Sequence, residues 1–418
     1  VILMFYNIGA EIVRDLTKES DLCARFDKDI HIGDQLDEGS YSIVSEVLFP
    51  GGERYVIKEY KDVKVETVTE PKPISLKAFM EAREEEFDEN LFVLLNGGDV
   101  NAIRTEFKVP EFSAPCVRNV ELRYKSNTSE GKFRIRPPFY LCESSQYPEY
   151  ILGLLTSNLY RSGECYHFVD VVDFITCVKS RRESDDAPKQ YLLMEMVDKG
   201  TLEWEINGDF SVLETEADTE SVTLQVLFAI ACYQTKYGIS HNDLKMSNIF
   251  VQRREGVNNW HKQDIAHAKY FHYRVKGIDL YCRAYDLIKI GDWGVGIKWA
   301  PPVIGQRAFV LGSEDRSVPN SYVASFDLLY FLFSLVDERS PLSLELFEYA
   351  TGTVYNDNTF IPKEWMQPRF PRRPSLDILN TEPMKDVTAL KILKNEKLMS
   401  RFRQKPDSDK IVTLGTLA

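Results

Sequence analysis

Eight residues, His241-Asn242-Asp243-Leu244-Lys245-Met246-Ser247-Asn248, stand between an apolar run, Val222 to Tyr237, and a second, Ile249-Phe250-Val251. The first run is apolar nearly all round, as expected of a helix buried inside a larger body. Read as H-x-D-x-K-x-x-N, the eight place a carboxylate that can accept a proton, a cation and a metal-binding amide on one short loop.

The rest of the chain has an order of its own. Residues 34–59 read as strands: Tyr41 to Val47 partly alternates, Pro50-Gly51-Gly52 turns, and Tyr55-Val56-Ile57-Lys58 returns, which is a hairpin signal. Residues 60–145 are acidic and helix-like around Leu76 to Leu95, then rich in Pro and Asn. Glu149 to Leu159 has helical spacing, while Phe168 to Val178 and Gln190 to Val197 are strand-like. After the loop come about forty poorly patterned residues, a short strand at Leu287-Ile288-Lys289-Ile290 and a helix over Tyr322 to Val336. Strands first and helices later predict an α+β protein with two lobes.

Composition excludes some classes. With 418 residues, 44% hydrophobic and 28% charged, the chain is an ordinary globular one with a large core. A net charge of -13 argues against a general nucleic-acid or anionic-membrane binder. Residues 361–405 oppose that trend with 11 Lys/Arg against 5 Asp/Glu, a solvated surface or a docking site for an acidic partner. The 7 cysteines are scattered without a C-x-x-C pair, so reduced thiols in an intracellular protein are expected. The most apolar long run, Tyr322 to Val336, is too short to span a bilayer and carries Asp327. Val1 to Tyr6 lacks the basic start of a signal peptide, and the absence of an initiating Met fits a trimmed chain or a piece of a longer one.

Further motifs join the loop. Gly291-Asp292-Trp293-Gly294 follows a strand, and Lys58 ends one. Asp327 sits in the apolar run Ser325 to Phe331, where a carboxylate without donors is costly, so something must bind it. The loop chemistry suits phosphoryl transfer, which asks a protein for positioning and charge stabilisation. The eight residues resemble the catalytic loop of protein kinases, Asp292-Trp293-Gly294 resembles D-F-G, and Tyr55 to Lys58 resembles the V-A-I-K strand. Lys58, Glu149, a hinge near 195, Asp243 to Asn248, Asp292 and Asp327 follow the family's order. The chain therefore resembles a divergent eukaryotic-type Ser/Thr protein kinase. Its insertions, D-W-G and H-N-D are similar to those of kinases carried by large DNA viruses such as iridoviruses and poxviruses.

That resemblance implies an antiparallel-sheet N-lobe over 31–197 after an extension at 1–30, with an insertion at about 60–145. It implies a helical C-lobe over 198–418 with an insertion at about 252–286 and a basic C-terminal segment. ATP would lie under a lid that keeps Gly39 and Val44 of the family's G-x-G-x-x-G-x-V pattern, its base against Met194, Glu195 and Val197. Lys58 would hold the phosphates, oriented by Glu149 or by an acid of the cluster Glu81 to Glu89; Glu149 has the better helical context. Asn248 and Asp292 would bind Mg²⁺, Asp243 would accept the hydroxyl proton and Lys245 would stabilise the phosphoryl charge. His241, Trp293 and Asp327 would support these groups. Asn242 replaces the usual phosphate-sensing Arg, so activity without activation-segment phosphorylation is expected.

Implied partners are protein substrates with Ser/Thr acceptors, virion proteins among them, in the cytoplasm or the virion, with no direct nucleic-acid contact. A pseudokinase or virion scaffold is the rival reading, favoured by the degraded glycine loop. A small-molecule phosphotransferase is a third, against which Lys245 argues.

Overall fold

The computed structural model describes residues 31–38, 42–49, 52, 54–60, 120–125, 130–135, 146–177, 189–203, 215–254, 265–294, 296–298, 319, 323–336, 340–354, 361–367 and 370–418. The expected extension at 1–30, the helix-like stretch Leu76 to Leu95 with its acidic cluster, and Gly39 lie outside them. The structure is mixed α+β, strands leading and helices following. The described residues fall into two compact units: those up to Tyr150 with Val172–Glu195, and Ile151–Val171 with Met196–Lys298 and those after 313.

The first unit is built on β1 (His31–Glu38), β2 (Ser42–Leu48) and β3 (Arg54–Tyr60), paired antiparallel in sequence order. A separate antiparallel hairpin follows, β4 (Val120–Lys125) with β5 (Glu130–Ile135). It falls in the region that sequence left unplaced, although Val120, Leu122 and Tyr124 alternate with charged residues. Then β6 (Val171–Cys177) and β7 (Lys189–Glu195) complete a five-stranded sheet in the order β1-β2-β3-β7-β6. Val47, Ile57, Tyr60, Leu192 and Leu193 are among its buried apolar positions. Helix α1 (Gln146–Arg161) contributes its first turn to this unit.

Residues 151–171, expected with the N-lobe, cluster instead with the second unit. The cause is a set of backbone ties. Cys165 bridges Gly415, Tyr166 N–H donates to Leu414 O at 3.2 Å, and Val169 N–H donates to Ile290 O at 3.0 Å.

The second unit is organised around α2 (Glu216–Tyr237), in which every residue from Ser221 to Tyr233 is buried. Thr215 opens it with a reciprocal cap: its hydroxyl accepts from Asp218 N–H at 3.2 Å, and Asp218 accepts from Thr215 N–H at 3.1 Å. The chain continues through β8 (Ile239–Ser240), the eight-residue loop and β9 (Ile249–Gln252).

The stretch that looked poorly patterned holds a hairpin, β10 (Tyr270–Val275) and β11 (Ile278–Arg283). Lys276 and Gly277 turn it with φ of 48° and 84°, and two successive positive φ values match the twist of the flanking strands. Phe271, Tyr273, Val275, Leu280 and Cys282 form its buried face. Next come β12 (Leu287–Ile290), antiparallel to β9, and β13 (Ile297–Lys298), antiparallel to β8. Helices α3 (Ala324–Leu335) and α4 (Pro341–Thr351) follow, then the small pair β14 (Met366–Gln367) and β15 (Phe370–Pro374). Beyond α5 (Ala389–Lys394) and the single turn α6 (Ser400–Arg403), β16 (Ile411–Leu417) joins β10 in parallel. Helix α2 packs against α3, α4, α5, β11 and β12. Among the described residues, no helix is long and apolar enough to cross a membrane.

His167 ties this unit internally. Its Nδ1–H donates to Ile288 O at 2.9 Å, and its Nε2 accepts from the Tyr273 hydroxyl at 3.0 Å. Burial pushes the imidazole down from 6.5 to about 3, so it is neutral in the folded protein. Between those values only the unfolded chain takes up the proton, and stability falls as pH falls. Denaturant unfolding should show a loss approaching about 1.4 kcal/mol per pH unit from this group as pH drops below 6.5, absent in His167→Gln.

Candidate functional site

The loop that carries His241 to Asn248 takes its shape from Asp327, a fully buried residue of α3. The Asp327 carboxylate accepts the His241 N–H at 2.8 Å, the Asn242 N–H at 2.7 Å and the Tyr233 hydroxyl at 2.8 Å. Ser240 Oγ lies 3.2 Å from Asp327 Oδ2 and 2.8 Å from Asn242 Oδ1, with one proton to give. Three full donors replace the water that a buried carboxylate loses. Asn242 adopts φ of 63°, a left-handed conformation that Asn tolerates better than most residues. Asn242 is thus a buried bend that presents its N–H to Asp327.

The His241 ring has a defined tautomer. Nε2–H donates to Gly291 O at 2.8 Å, and Nδ1 accepts from Asp243 N–H at 3.3 Å. Its face lies 4.5 Å, centroid to centroid, from the Trp293 ring, which also meets Tyr233 edge-on at 5.2 Å. Trp293 is buried in this aromatic cluster, and the residue before it, Asp292, has a left-handed φ of 60°. Gly291 admits no side chain: a Cβ would fall 2.9 Å from Val169 Cγ2. Its N–H donates to Asn248 O at 3.2 Å, which puts the segments carrying Asn248 and Asp292 side by side.

Asp243 is the most heavily contacted member of the loop. Asn248 Nδ2 donates to Asp243 O at 2.8 Å and to Asp243 Oδ2 at 3.0 Å. Lys245 Nζ stands 3.3 Å from the same Oδ2. Asp243 Oδ1 accepts from Arg373 Nη2 at 2.5 Å. Tyr330, one turn beyond Asp327 on α3, stands beside the Asp243–Arg373 pair. Burial, with the Asp243 charge next, pushes that phenol up to about 12 and keeps it a proton donor.

In the first unit, Lys58 Nζ donates to Glu149 Oε1 at 2.7 Å, and the Tyr60 hydroxyl donates to Glu149 Oε2 at 2.8 Å. Glu149 is buried in the first turn of α1. Val44 is the register partner of Lys58 across β2 and β3, which puts both side chains on one face of the sheet. Met194 and Glu195 end β7 opposite Val56 and Tyr55, and the division between units falls between Glu195 and Met196. Val197 is half-buried in the second unit.

The donor set fits Mg²⁺. Asn248 uses its NH₂ on Asp243, which leaves its amide oxygen as the end that could face a cation, and Asp292 carries a carboxylate. Both are hard oxygen donors, and Mg²⁺ is commonly held by one or two such groups together with substrate phosphates. No group of three or more His, Cys, Asp or Glu side chains able to hold a metal occurs among the described residues.

Sequence reasoning missed Tyr60, Tyr233, Ser240, Tyr330 and Arg373. The cost of burying Asp327 signalled that donors were needed without saying which. No family model matches the sequence, and no curated protein matches it. Asp327→Ala would orphan two backbone N–H groups and should cost roughly 2–5 kcal/mol in denaturant unfolding of the full chain.

Proposed function

We propose that this protein is an ATP-dependent kinase of bilobal protein-kinase type that transfers the γ-phosphoryl group to Ser/Thr hydroxyls of protein substrates. One observation carries the reading. Asp243, Lys245 and Asn248 share a single carboxylate at 3.0–3.3 Å, while the Asn248 backbone is bonded to the residue before Asp292. A proton acceptor, a cation and two hard oxygen ligands are the parts that phosphoryl transfer requires.

The proposed roles are those that the resemblance to protein kinases implies. Lys58, fixed by Glu149, pairs with the nucleotide phosphates, and Met194, Glu195 and Val197 meet the base. Asn248 and Asp292 would hold Mg²⁺, which would offset phosphate charge. Asp243 takes the proton of the acceptor hydroxyl. The hydroxyl oxygen bonds to the γ-phosphorus as the bond to the β,γ-bridging oxygen breaks, and ADP leaves with that electron pair. The Lys245 ammonium faces the charge that develops on the transferring group. Lys245 also favours protein acceptors over small molecules, and Asn242, buried as a bend, makes no provision for sensing a phosphate.

Purified protein with γ-labelled ATP, Mg²⁺ and a Ser/Thr acceptor such as casein should label the acceptor. Asp243→Ala should lower the rate on the order of 10²-fold or more. Equal labelling by both proteins would overturn the proposal. So would nucleotide binding with no transfer to protein, peptide or small-molecule acceptors.

A further inference from the structure

We infer that Arg373 is a positioning residue for phosphoryl transfer: it holds the Asp243 carboxylate in its proton-accepting orientation and balances its charge. The inference rests on the kinase reading.

Arg373 is only 5% exposed, and a guanidinium so buried needs an anionic partner. That partner is Asp243, at 2.5 Å from Nη2 to Oδ1. With Asn248 Nδ2 on Oδ2 at 3.0 Å, the carboxylate is gripped at both oxygens and cannot turn about its bond to Cβ. Oδ2 also faces Lys245 Nζ at 3.3 Å, while Oδ1 keeps a second lone-pair direction, so the grip leaves capacity to receive a proton there.

The backbone that delivers Arg373 is itself constrained. Arg372, just before it, has φ of 67°, a conformation a non-glycine residue keeps only when its surroundings impose it. Pro374, just after it, is the register partner of Met366 in β14, and its carbonyl accepts from Gln367 Nε2 at 3.1 Å. Tyr330 completes the arrangement, its ring centroid 5.8 Å from the Arg373 guanidinium carbon. One face of α3 therefore serves both parts of the loop, Asp327 its backbone and Tyr330 the Asp243–Arg373 pair.

Charge gives Arg373 a second task. Without it Asp243 and Lys245 sum to zero, and with it the cluster is positive where an anionic phosphoryl group must meet a carboxylate. Nothing in the arrangement requires Arg373 to touch the nucleotide, so its effect should appear in turnover.

The test is initial-rate kinetics on the full chain with ATP, Mg²⁺ and casein, comparing wild type, Arg373→Met, Arg373→Lys, Asp243→Asn and the Asp243→Asn/Arg373→Met double variant. Arg373→Met should lower kcat roughly 50-fold with KM for ATP within about twofold, and Arg373→Lys should recover part of the loss. In the Asp243→Asn background the same Met substitution should change the residual rate by less than about threefold. An unchanged or faster Arg373→Met, or an equal loss in both backgrounds, overturns the positioning role and leaves the kinase reading standing. A wild type no faster than Asp243→Asn overturns both. If Arg373→Met fails to fold by circular dichroism, Arg373→Lys and Arg373→Gln decide by the same criteria.

Discussion

A carboxylate inside an apolar helix is the constraint on which the second unit depends. Asp327 occupies a stretch of α3 where every residue from Ser325 to Phe333 is buried, so its charge is tolerable only if donors reach it. The donors come from Tyr233 on α2 and from the backbone of His241 and Asn242, which binds two helices and a loop into one arrangement. Once His241 and Asn242 are held, the His241 ring can reach Gly291, and Asn248 can close on Asp243. Each later contact presupposes the first.

Much of this was legible in the residues, and the part that was not has identifiable causes. Helices α2 and α3 announced themselves because long apolar runs leave few alternatives to burial, and β3 because Pro50-Gly51-Gly52 turns the chain between two strand-like runs. Lys58 and Glu149 were nameable from the resemblance to protein kinases, with the helical context of Glu149 deciding between candidates. The β10–β11 hairpin was not, because its exposed face is as polar as a loop and only Lys276-Gly277 marks the turn. The donors to Asp327 escaped for another reason. Tyr233 lies 94 residues from Asp327, and no local pattern encodes a pairing over that distance. Residues 61–119 lie outside the described set, so the acidic cluster there is an expectation that the geometry of Glu149 neither supports nor displaces.

The basic stretch 361–405 is largely the solvated face its charge suggests, with one buried exception among its described residues, Arg373. As a sequence it is a surplus of cations, and a solvated face is the ordinary interpretation. Several of those cations are engaged within the protein. Arg373 is buried on Asp243, and Arg401 reaches Glu220 at 3.0 Å and Glu345 at 2.8 Å. Arg401 contributes little to stability, since exposed pairs seldom do. Arg373 differs because its own side chain is withdrawn from solvent and depends on Asp243 to balance its charge.

The parallel pairing of β16 with β10 bears on the order in which the second unit can form. Tyr270 pairs with Ile411 and Val275 with Leu417, across more than a hundred intervening residues. Cys165, farther upstream still, bridges Gly415. During synthesis the hairpin and the segment after α1 would leave the ribosome long before the strand they share. Until residues 411–417 emerge, one edge of β10 keeps its hydrogen-bonding groups open to any passing strand. That edge of β10 is closed only when residues 411–417 have been made.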